Sequence, residues 1–138
     1  MVVRVPVEVK YLDRSQATSA LVNSGYEVDE PEIHLPLCFI QRLGIEHEAA
    51  RSEKYRVVGA EVSTHVLGYV EVRIKLEDKM PGWVKARAVM VPGEYEVIIS
   101  DALAEELGII VMKPKKGLWK LYGEEWERES VEPQYWIE

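Results

Sequence analysis

The sequence predicts a mainly β domain with short helices, and three observations carry that reading. Apolar residues recur at period two through several short stretches. Glycine and proline punctuate the chain at close intervals. A strand, polar exit, short helix, glycine, strand order occurs twice. The chain has 138 residues, enough for one core and too few for two. Residues 1–122 are expected to form that domain, and 123–138 an acidic, aromatic tail packed on it.

Residues 2–11 place Val3, Val5, Val7, Val9 and Tyr11 on one face, the pattern of a half-buried strand. Pro6 brings no amide donor, so this strand should lie at a sheet edge or turn that position away from a partner. Residues 12–16 read as a polar turn and 17–22 as the second strand of a hairpin. That strand stops abruptly at Asn23, Ser24 and Gly25. Polar groups at the end of a buried strand, beside a glycine free to turn the backbone, suit either a simple turn or a rigid functional platform.

Residues 26–32 are an acidic loop, carrying Glu27, Asp29, Glu30 and Glu32 around Pro31. A short extended piece, 33–36, then leads into a two-turn helix that Pro36 begins and Gly44 closes. Residues 47–51 fit a strand or a helical turn equally well. Residues 55–59 and 62–76 read as a twisted hairpin in which Gly59 and Gly68 permit bending or close approach. After a turn at 77–83, residues 84–91 form a strand buried on both faces near its end. Pro92 and Gly93 turn the chain again.

Val97, Ile98 and Ile99 make a short apolar strand, and either Ser100 or Asp101 suits the start of the helix that Gly108 ends. Strands at 109–112 and 118–122 follow, joined by a turn. The tail shows no period, yet Trp126 and Trp136 imply that it packs. The internal echo is explicit: Leu21-Val22 before Asn23 leads to Leu43-Gly44-Ile45, and Ile98-Ile99 before Ser100 leads to Leu107-Gly108-Ile109. A repeat this short is not a solenoid; it fits a compact pseudosymmetric domain.

Charge and cysteine usage narrow the function. Acidic side chains number 24 and basic ones 17, a net charge of −7 that repels nucleic acid and anionic lipid. No run approaches the roughly 20 apolar residues that span a bilayer, and the amino-terminal residues lack a secretory core, so a cytoplasmic protein is expected. Cys38, the single cysteine, reads as a small apolar packing group. His34, His47 and His65 show no metal-ligand spacing, and neither a metal nor another cofactor is expected.

From about residue 5 to residue 121 the sequence resembles the retropepsin-like aspartic proteases, including small prokaryotic members. In that family an apolar strand ends in Asp-Thr/Ser-Gly, and the matching positions are Asn23, Ser24 and Gly25. Leu35-Pro36 and Leu43-Gly44-Ile45 supply the segment that follows. The family's flap hairpin matches residues 55–72 with Gly59 and Gly68. Residues 97–101 and Leu107-Gly108-Ile109 stand where its second half-motif does. The resemblance implies a closed, twisted, β-barrel-like acid-protease fold and a homodimer with its site on the two-fold axis.

Three departures qualify it: Asn23 stands for the catalytic Asp, Ser100 replaces the usual Gly, and the 26–32 loop is long. Two close carboxyls work by sharing a proton, one activating water while the other protonates the substrate carbonyl. An amide cannot cycle a proton near neutral pH. The resemblance therefore implies an impaired protease homologue that binds an extended peptide or a protein partner in a dimeric cleft. The alternatives are an active, unconventional aspartic endopeptidase and a purely structural dimerisation module. Asp29 as a substitute acid and deamidation of Asn23 are further routes to activity, while Asp101 is given a capping role.

Overall fold

The computed structural model of the protein describes residues 2–22, 26–45, 51–57 and 60–137, with 51–57 and 60–64 described by their backbone alone. Asn23, Ser24, Gly25, His47, Gly59 and the ambiguous stretch 47–50 therefore lie outside the described residues. In chain order the elements are β1 (Arg4–Tyr11), β2 (Arg14–Val22), β3 (Glu32–His34), α1 (Leu37–Leu43), β4 (Arg51–Val57), β5 (Ala60–Ile74), β6 (Val84–Met90), β7 (Val97–Ile99), α2 (Asp101–Glu106), β8 (Ile109–Lys113), β9 (Leu118–Leu121) and β10 (Arg128–Glu129).

Strands β1, β2, β7, β3, β6 and β5 pair in that order, and β5 returns to β1, closing a six-stranded barrel. Closure removes the exposed edges that an open sheet of these strands would carry. The alternation in β1 is what fills it: Val5, Val7 and Val9 are fully buried while their neighbours are half-exposed. Ile33, Ile99, Val72 and Ala86 arrive from the other strands, and Phe39, Ile40 and Leu43 of α1 join the same core. Pro6 sits just outside the β1–β5 ladder, which begins at Val7, and its carbonyl accepts from the Lys75 amide at 2.9 Å. The missing donor costs no ladder bond to β5.

Several boundaries differ from those the sequence suggests. The polar stretch 12–16 is mostly strand: Tyr11 pairs with Arg14 across a two-residue turn, and Leu12 adopts φ 55° there. Arg14 to Ala17 face water on the outside of the hairpin, so their polarity hides their extended backbone. The second hairpin is likewise shifted, with β4 ending at Val57 and β5 running from Ala60 to Ile74. Ser100, not Asp101, is the helix cap. Its ψ of 164° is extended and its Oγ accepts from the Leu103 amide at 3.1 Å, whereas Asp101 already lies inside α2.

Beyond the barrel, β10, β9 and β8 form a small antiparallel sheet. The chain after β10 then straps back over the barrel. The Val131 amide donates to Arg4 O at 3.0 Å, the Gln134 amide to Ser19 Oγ at 2.8 Å, and Trp136 Nε1 to Thr18 Oγ1 at 2.9 Å. Trp136 is buried, edge-on to Phe39 at 4.9 Å, while Trp126 is half-exposed beneath the cations of Lys79 and Arg128. No helix among the described residues is long and apolar enough to cross a membrane.

Candidate functional site

The two halves of the internal echo meet side by side. Strands β2 and β7 pair in parallel, with Ala20 opposite Val97, Leu21 opposite Ile98 and Val22 opposite Ile99. The two apolar runs that precede the polar exits in sequence thus end as adjacent strands. Val22 is fixed further by its amide, which donates to Val3 O at 3.0 Å. The chain returns at Tyr26, whose carbonyl accepts from the Asp101 amide at 3.0 Å. Val22 is thus tied to β7 and Tyr26 to the start of α2.

Ser100 is the joint of this platform. It is fully buried, its amide donates to Glu32 O at 3.0 Å, and its Oγ accepts from both the Glu32 and Leu103 amides, at 3.0 and 3.1 Å. One hydroxyl thus ties β3 to the first turn of α2. A glycine there, as the family resemblance leads one to expect, would supply neither bond.

Beside the joint lies a polar cluster that the acidic composition of residues 26–32 does not reveal. Glu32 and Ile33 alternate, so Ile33 enters the barrel while Glu32 lies on the other face, 1% exposed. The Tyr26 hydroxyl donates to Glu32 Oε2, and Arg87, opposite Glu32 in the β3–β6 ladder, approaches Oε1 to 3.4 Å. Tyr26 packs against His34 with ring centroids 4.2 Å apart, and His34 Nδ1 lies 2.9 Å from Glu94 Oε2. The acidic loop reads as solvated in sequence because its buried member is indistinguishable from its exposed ones by composition. Period-two alternation in Glu32-Ile33-His34 is the signal that distinguishes it.

Glu27, Val28, Asp29 and Glu30 rise around Glu32 and Arg87 to line a cleft of about 420 Å³. The Tyr69 hydroxyl donates to Glu30 Oε1 of this lining at 3.1 Å. Asp101 stands at the edge of the same region. Burial, and then the nearby Glu27 charge, push its carboxyl above the ordinary range. Among the described residues no three His, Cys, Asp or Glu side chains come together as a metal-binding group.

The hairpin of β4 and β5 extends the sheet beyond the closed barrel as a two-stranded arm. Residues 60–64 pair only with β4, and β5 meets β6 from His65 onward. Gly68 lies at its base, with φ 106°, where Val66 pairs with Val89 and Gly68 with Ala88, leaving Leu67 as an extra residue. This is a β-bulge, and it bends the strand as the arm leaves the barrel. A Cβ at Gly68 would meet no atom within 4 Å, so the backbone angle, not space, requires glycine. Cys38 is half-buried against the core and borders an apolar groove of about 440 Å³ with Met90 and Trp136.

No family model matches the sequence, and no curated protein matches it. Among solved structures the chain is similar to the retroviral protease-like domain of Ddi1 from Leishmania major. The TM-score is 0.52 at 12% identity, over 98% of this chain and 94% of that one. A likeness at that identity is one of fold. With the closed barrel, the parallel pairing of β2 with β7 and the projecting β4–β5 hairpin, it establishes that this mainly β chain has a retropepsin-like fold.

Proposed function

We propose that this protein is an aspartic-protease homologue impaired by Asn23 at the position of the family's acid, and that two copies form a cleft that binds an extended peptide or a protein partner. The observation that supports the reading is the parallel β2–β7 pairing in a retropepsin-like fold, which sets Val22, the last described residue before Asn23 in sequence, beside Ile99. Ser24 and Gly25 keep structural roles in it, bracing the exit loop and allowing close approach. Two amides on the axis would bind and orient a peptide carbonyl without moving a proton. The β4–β5 arm, with Gly68 at its base, would cover an extended ligand held by main-chain hydrogen bonds. A dimer that binds nothing, a purely structural module, is the reading left if no peptide in a diverse library binds.

One observation favours an active enzyme of unconventional kind. The Asp101 carboxyl is held above its ordinary range, and its amide bonds the residue that follows the exit loop. A carboxyl so placed holds its proton more readily than a free aspartate does, as a proton donor must. Peptide cleavage at mildly acidic pH separates the readings. The impaired reading expects no turnover by the native chain and a gain in Asn23→Asp. Turnover by the native chain that is lost in Asn23→Ala and in Asp101→Asn would overturn it.

A further inference from the structure

On the face of the barrel wall turned away from the core, one side chain from each of several adjacent strands falls into a single row. Leu21 of β2 stands opposite Ile98 of β7, Ile98 opposite His34 of β3, His34 beside Val89 of β6, and Val89 opposite Val66 of β5. Their chain neighbours Ile33, Ala88 and Ile99 fill the core, so the row points the other way. It starts close before Asn23 in sequence and ends at the base of the β4–β5 arm. Leu21 and Ile98 are half-buried and Val66 and Val89 buried. His34, with its side chain 13% exposed, is the polar member of an otherwise apolar row.

The two nitrogens of that imidazole differ. Nδ1 lies 2.9 Å from Glu94 Oε2, and a carboxylate only accepts, so Nδ1 carries the proton. In the neutral ring Nε2 is then an acceptor. It is buried, and no described residue bonds it. Folding has already taken this lone pair out of water, so a donor that reaches it gains a hydrogen bond with no further desolvation of the protein. An apolar group gains nothing there, and a carboxylate meets a lone pair with the Glu94 carboxylate behind it.

We propose that His34 selects the bound peptide: an extended segment lying across the row sets beside Ile98 a side chain whose hydroxyl or amide donates to His34 Nε2. The inference rests on the peptide-binding reading above and names the class of side chain the cleft takes. Main-chain donors do not compete, because strand pairing uses them. Nε2 lies beneath the surface, so the row opens at Tyr26, whose ring is stacked on the imidazole with centroids 4.2 Å apart.

Two measurements on the full chain test this. In two-bond proton–nitrogen spectra at about pH 8, where histidine is ordinarily neutral, the signals lost in His34→Phe should show a protonated Nδ1 and a bare Nε2. In a positional-scanning library of short extended peptides, threonine should be preferred over its isostere valine about tenfold at one position, and over aspartate by more. His34→Phe keeps the stacked ring and removes both nitrogens; it should bind the valine peptides as before and lose the preference. Glu94→Gln, which unlocks the tautomer, should weaken it. A proton on Nε2, a preference that survives in His34→Phe, or no preference at any position overturns the proposal while peptide binding stands. If no peptide binds, both fall.

Discussion

Ser100 caps α2 and receives the Glu32 amide with the same oxygen, so its removal would strand two buried donors in one step. Ser100→Ala should cost about 2–3 kcal/mol, the sum of a lost cap and a lost buried partner, read from urea denaturation midpoints at constant slope. Leu12 presents the opposite opportunity. It is 76% exposed and holds a left-handed backbone angle that suits glycine or asparagine. Leu12→Asn should therefore stabilise the β1–β2 hairpin, by about 0.5–1 kcal/mol, visible as a higher melting temperature. Neither residue's role was legible from its own letter. Ser100 and Asp101 are both good caps, and the choice is made by one ψ angle that the ladders of β7 with β2 and β3 impose.

Elements here were legible where one face is dry and obscure where both faces are polar or the segment is short. The alternating valines of β1 announced a strand, whereas Arg14 to Gln16, equally extended, looked like a turn because water reaches them. A two-residue strand such as β10 has no period to find. The bulge at Gly68 was visible only as a glycine in an apolar run, without its geometry. Gly68→Ala should destabilise by about 1 kcal/mol or more through its positive φ, measurable by thermal melting, and should alter hydrogen exchange in the β4–β5 arm first. The small sheet is held by Glu124, which Arg128 draws well below the ordinary carboxylate range, to about 2, against the opposing effect of burial; Lys79 and the Leu121 amide also bond it. A carboxylate depressed in the folded state stabilises fully above its unfolded value and loses that contribution as pH falls from about 4.5 toward 2. Melting temperatures should drop across that interval, and Glu124→Gln should be less stable at neutral pH but flatter through it.

At the scale of the molecule, the repeated grammar of the chain became spatial adjacency: Leu21-Val22 and Ile98-Ile99, 77 positions apart in register, are neighbouring parallel strands. That much of the retropepsin-like architecture was readable because both halves had to bury an apolar strand and release a polar end. The tail's packing was legible from its tryptophans, but its path was not, since it is anchored by isolated contacts instead of a repeating face. Trp136→Ala should cost about 3 kcal/mol or more, because it removes a buried ring and the bond to Thr18; denaturant unfolding followed by far-UV circular dichroism would measure it.

The strap also sets a timetable. Arg4 finds Ser130 across a separation of 126 residues and Val131 next to it, and Thr18 finds Trp136 across 118. During synthesis the first strand must wait with those bonding groups unmet until the segment beyond residue 130 has emerged from the ribosome. A nascent chain stalled before that point should be digested readily by a protease that spares the released protein, and the final closure should be slow, as it is for folds dominated by distant contacts.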